Sequence, residues 1–138
     1  MLRLILQSVE ISEQKVGERQ AIVTLNSGET SFVGCSKQLS TQDDYITVAE
    51  ATLDAVRQFL SIEGIKLELD KAAPIRHDSI NNNLLVVTVD YSKDGKTVQL
   101  TGSCLSNDEQ ATHNIAKATL DATNRIIAHL SESENLNL

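Results

Sequence analysis

The chain has 138 residues, a formal net charge of −7 and only 3% aromatic residues, with no Trp. That length leaves room for one domain with a real core, and the core must be aliphatic. Twelve scattered Lys and Arg face nineteen Asp and Glu, which disfavours nucleic acid and anionic membrane surfaces as partners, since clustered cations hold both.

Apolar residues make up 41% and charged residues 22%, as in ordinary globular domains. No apolar run reaches the roughly 18–20 residues of a membrane span. The opening Met1–Leu6 has no h-region or cleavage site behind it, so a cytoplasmic location is expected.

Leu2, Leu4 and Leu6 alternate, and Val9 and Ile11 resume the alternation one step out of phase. This predicts a strand with a bulge or bend near Ser8. Gly17-Glu18 is a turn. Ala21, Val23 and Leu25 form the inward face of a second strand. Asn26-Ser27-Gly28-Glu29 reads as a hairpin loop, in which Gly28 can take positive φ. Thr30 to Ser36 is the third strand. A helix opens at 40–44, with Thr41 accepting free amide protons and Asp43 and Asp44 at the positive end of the dipole. Tyr45, Val48, Ala49, Thr52, Leu53, Val56, Phe59 and Leu60 share one face of it. Gly64 stops it.

The programme then repeats. Ile65, Leu67 and Leu69 alternate as a strand, and Pro74 with the polar run Arg76–Asn83 reads as a connecting loop. Leu85, Val87, Val89 and Tyr91 alternate next. Ser92-Lys93-Asp94-Gly95 makes the hairpin, and Val98, Leu100 and Gly102 continue as a third strand. Ser106 or Asn107 caps a second helix, with Asp108 and Glu109 in its first turn. Its buried face is Ile115, Ala116, Thr119, Leu120, Thr123, Ile126, Ile127 and Leu130. Residues 131–138 form a polar tail expected to fray.

Ala-Thr-Leu-Asp-Ala occurs at 51–55 and again at 118–122, 67 positions later. Its flanks agree: Val48-Ala49-Glu50 faces Ile115-Ala116-Lys117, and Phe32-Val33-Gly34-Cys35-Ser36 faces Leu100-Thr101-Gly102-Ser103-Cys104. The chain therefore reads as two copies of one unit, about 1–64 and 65–131. The expected fold class is α+β: a duplicated β-β-β-α unit with pseudo-twofold symmetry, and Leu53 and Leu120 at equivalent buried positions.

Catalytic signals are sparse. No nucleophile motif is present, and the three His (77, 113 and 129) have no partners at metal-ligand spacing. A solvated helix face accounts for His113. No cofactor or metal is expected. Cys35 and Cys104 read as reduced, buried small residues at strand ends. Gly34-Cys35-Ser36 and Gly102-Ser103-Cys104 have two readings. Either they pack closely on a helix, or they let a ligand reach the amides at the helix starts. Asp54 and Asp121 are expected to pair with Arg57 and Arg125 at helix-face spacing.

Gly95-Lys96-Thr97-Val98-Gln99-Leu100-Thr101-Gly102, followed by the run from Ala116 to Ile126, resembles the end of the C-terminal regulatory domain of 2-isopropylmalate synthase. The element order of the whole chain is similar too. The resemblance implies a pseudo-twofold α+β fold that dimerises and, in the family, binds leucine. The family's first repeat enters its helix through a Gly-x-Gly-Pro-like loop, whereas 34–43 here has no second Gly and no Pro. The synthase's catalytic barrel has no counterpart in these residues. The expectation is a non-enzymatic, dimer-forming regulatory or scaffold protein. The alternative is a small-metabolite, amino-acid-like binding module holding its ligand at Gly34, Cys35, Ser36, Gly102, Ser103 and Cys104. Expected partners are a second copy, with a small-molecule effector or another protein.

Overall fold

The computed structural model describes residues 4–39, 44–60, 64–76 and 83–137. Strands β1 (Ile5–Lys15), β2 (Glu18–Ser27) and β3 (Thr30–Leu39) form an antiparallel sheet in that order, followed by helix α1 (Asp44–Leu60). Strands β4 (Ile65–Arg76), β5 (Asn83–Lys93) and β6 (Lys96–Ser106) form a second such sheet, followed by α2 (Ala111–Asn137). The fold is therefore the duplicated β-β-β-α arrangement of the α+β class.

Period-two patterning sets the inner faces. Ala21, Val23 and Leu25 on β2, and Leu85, Val87 and Val89 on β5, are fully buried. Pairing of β1 with β2 slips by one residue between Leu6 and Ser8, which places the bulge at Gln7. The slip is what lets Leu4 and Leu6 face the core together with Val9 and Ile11. Pairing of β4 with β5 slips at the equivalent place, between Leu69 and Lys71. A shared irregularity at matching positions is independent support for the duplication. Asp94 and Gly95, at φ 54° and 78°, close the β5–β6 hairpin in the two-residue form that follows the twist of its strands.

Several boundaries differ from the sequence expectation, β3 among them, which runs on to Leu39. β4 runs through Pro74 to Arg76 rather than ending before it, and Asn83 already belongs to β5. Pro74 is tolerated because β4 is an edge strand, where a missing N–H need not break the ladder. The cap of the second helix is Asn107, one of the two residues expected there, and its Oδ1 accepts from the Gln110 amide at 3.1 Å. A single 3-10 turn at Asp108–Gln110 intervenes before α2 begins. The stretch expected to fray instead continues the α2 backbone through Asn137; it contains no Gly or Pro to stop it. Thr41 and Asp43, and the loop at 77–82, lie outside the described residues.

α1, and α2 as far as Ile127, are buried over most of their circumference. Leu53 and Leu120 occupy matching core positions. α1 packs on β2 and β3 of its own unit and on β4 of the other; α2 packs on β5 and β6 and on β1. The helices also pack on each other. Each unit thus reaches across to the first strand of its partner unit, which is a pseudo-twofold arrangement. No helix among the described residues is long and apolar enough to cross a membrane.

Candidate functional site

The two Gly-containing segments do not sit at strand ends. Gly34 pairs with Val23 in mid-β3, and Gly102 pairs with Val87 in mid-β6. Each lies under the middle of a helix, away from its start. A Cβ on Gly34 would collide with the Ala51 carbonyl oxygen and the Ala55 amide nitrogen. On Gly102 it would collide with the Ala118 carbonyl oxygen and the Ala122 amide nitrogen. The repeated Ala-Thr-Leu-Asp-Ala is therefore one half of a seam. Its two alanines let the helix backbone touch the strand, and a glycine opposite completes the approach. No room for a ligand remains on that face of either glycine.

The repeated Asp completes the seam. Asp54 Oδ2 accepts from the Cys35 amide at 3.0 Å, and Asp121 Oδ2 accepts from the Ser103 amide at 3.0 Å. Gln58 Nε2 donates to the Val33 carbonyl oxygen at 2.8 Å. β3 and β6 are edge strands, so these side chains satisfy groups that would otherwise be open to another strand. The expected pairing of Asp54 with Arg57 and Asp121 with Arg125 is thus replaced by bonds to the strand amides.

Cys35 and Cys104 are not equivalent. Cys35 stands opposite Ile22 and is exposed; Cys104 stands opposite Leu85 on the inner face and is half-buried. The repeat sets Cys35 against Ser103 and Ser36 against Cys104. An offset of one residue on a strand reverses the face. The expectation that both thiols are buried therefore fails for Cys35. Ser36 is half-buried and accepts from Gln38 Nε2 at 3.3 Å, and Ser103 is exposed.

Sequence reasoning missed a groove of about 490 Å³ between α2 and the start of β1. Leu4 and Leu6 line it from the strand side, and His113, Lys117, Leu120 and Asn124 from the helix. His113 is half-buried rather than solvated on an open helix face. Partial burial, then the nearby Lys117 charge, hold its pKa below 6.5. Asp121 reaches the groove with one carboxylate oxygen already bound to the Ser103 amide. His77 lies outside the described residues.

The other unit has a smaller counterpart of about 320 Å³ between α1 and β4, lined by Ile46, Glu50, Asp70 and Lys71 among others. The repeat aligns Ile46 with His113, Glu50 with Lys117 and Arg57 with Asn124. Arg57 donates through Nε, at 3.1 Å, and Nη2 to the Leu67 carbonyl oxygen on β4. Among the described residues, the shorter Asn124 makes no such bond to β1. The signal available in the sequence was this departure from the repeat, from Glu50 and Arg57 to Lys117 and Asn124.

Compared with known protein families and curated proteins, the chain matches no family model and no curated protein.

Proposed function

We propose that the chain is a non-enzymatic, dimer-forming regulatory or scaffold protein on the plan of the 2-isopropylmalate synthase regulatory domain. The duplicated fold and the resemblance over residues 95–126 support the plan. One observation carries the assembly. On the outer face of the β4–β6 sheet, Ile75, Leu84 and Leu105 stand side by side in register across all three strands. Ile75 is 55% and Leu105 61% exposed. Beside them, Ala73 pairs with Val86. The solvent face of an antiparallel sheet is ordinarily polar. The first sheet carries its exposed apolar residues singly, with Ile5 opposite Asn26, Val33 opposite Thr24 and Leu39 opposite Glu18. An apolar row on one sheet suits a self-complementary contact about a twofold axis. In sedimentation at about tens of micromolar, where a modest dimer is populated, we expect twice the 15.1 kDa protomer mass. Leu105→Glu should return the protomer. A wild-type protein that sediments as the protomer throughout defeats the dimer.

A second reading, a small-metabolite binding module, is favoured by the groove between α2 and β1. Its volume falls in the range of about 300–1,000 Å³ usual for small-ligand sites. A thermal-shift screen tests it, since a ligand that binds only the native state raises the melting temperature.

A further inference from the structure

The geometry points to a specific occupant for the α2–β1 groove: a small monocarboxylate with a short aliphatic body. The carboxylate would lie on Lys117, with Asn124 donating to it, and the aliphatic body against Leu4, Leu6 and Leu120. This deepens the small-metabolite reading above and rests on it.

The chemistry of the walls decides the charge. His113, Lys117 and Asn124 lie four and seven residues apart on α2, which sets them along one stripe of the helix. All three line the groove, and among the described residues none has a hydrogen-bond or salt-bridge partner. Lys117 offers a full positive charge, and Asn124 offers an amide donor. The acid nearby, Asp121, has one oxygen committed to the Ser103 amide. Asp121 keeps its negative charge but is tethered through that oxygen to β6, so the Lys117 ammonium is the charge left untethered at the groove. The apolar half is equally defined: Leu4 and Leu120 are core residues whose edges reach the groove.

The repeat supplies an internal comparison. At the matching place in the other unit, Glu50 replaces Lys117, reversing the charge, and Arg57, in place of Asn124, reaches across to bind the Leu67 carbonyl. One fold thus carries the same groove in a narrower and a wider form. The wider one has exchanged an acid for a base.

Hexanoate, hexylamine and acetate, titrated into the full-length 15N-labelled protein and followed by amide NMR, test this directly. Hexanoate should shift Leu4–Leu6 and residues 113–124 in a saturable way. Acetate lacks the apolar body and hexylamine has the wrong charge, so each should bind at least about tenfold more weakly. Lys117→Gln should weaken hexanoate by a similar factor. Asn124→Arg copies the bulkier side chain of the other unit's narrower groove and should abolish binding with the rest of the spectrum unchanged. Glu50→Gln, in the other groove, should have no effect. Absence of saturable shifts, equal binding of hexylamine, or unchanged affinity in both Lys117→Gln and Asn124→Arg overturns the assignment. Saturable shifts confined to another part of the molecule also overturn this site while leaving the metabolite-binding reading intact.

Discussion

Gly34 and Gly102 are where a single methyl group should matter most. Replacing Gly by Ala ordinarily gains about 0.4–1 kcal/mol by restricting the unfolded chain. Here the new Cβ meets helix backbone atoms, which cannot swing aside as the end of a flexible side chain can. Overpacking of this kind costs about 1–3 kcal/mol, so the collision wins. We expect Gly34→Ala and Gly102→Ala each to lower the urea midpoint with the slope unchanged. A midpoint at or above wild type in either variant would remove the seam as a packing constraint. At His113, burial first and Lys117 second disfavour the proton. The folded pKa lies below 6.5, so below that pH the unfolded chain binds more protons. Its contribution to stability is therefore full above 6.5 and falls as the pH drops through that region. An NMR titration should place the His113 midpoint below 6.5. Lys117→Gln should recover only part of the difference, since burial is the larger cause. A midpoint at or above 6.5 contradicts the half-buried placement.

The elements were legible wherever one face is buried. Leu85-x-Val87-x-Val89 could pair in only one phase, because a slip of one residue would put all three in water. The bulge near Ser8 showed as a break in that phase. Pro74 misled, because a proline marks a loop only where the ladder needs its N–H, and an edge strand does not. The close packing of Gly34 and Gly102 was one of two readings of the sequence, and the partners that decide between them lie 17 and 16 residues away, at Ala51 and Ala118. Asp54 and Asp121 were misassigned for a related reason. Helix spacing shows which side chains share a face, not which strand amide lies beneath. The groove was illegible because it joins the first residues of β1 to α2, elements that only the tertiary fold brings together. Within the helices, Leu53 and Leu120 occupy matching core sites. Leu53→Ala and Leu120→Ala should each cost about 2–5 kcal/mol. A loss below about 1 kcal/mol in either, read from chemical denaturation, would mean that the two sites are not equivalently packed.

At the scale of the molecule, neither unit is built to stand alone. A half of about 64 residues would bury too small a fraction of its surface to be comfortably stable. Each helix also spends part of its apolar surface on the other unit. Val48, Ala49 and Val56 of α1 join Ile115, Ala116 and Ile127 of α2 in one continuous core. Arg57 ties α1 to the Leu67 carbonyl of the second sheet. Opening one unit would therefore expose the inner surface of the other. The duplication should unfold as one two-state unit rather than as two domains in sequence. Nature has placed a reporter in each half: Tyr45 on α1 and Tyr91 on β5 are the two tyrosines of the chain. With 3-fluorotyrosine incorporated, their 19F signals should pass from native to unfolded at the same urea concentration. Leu53→Ala in the first unit should then move both signals together, although Tyr91 lies in the second. Separate midpoints for the two tyrosines, or a Leu53→Ala shift confined to Tyr45, would show that the units fold independently.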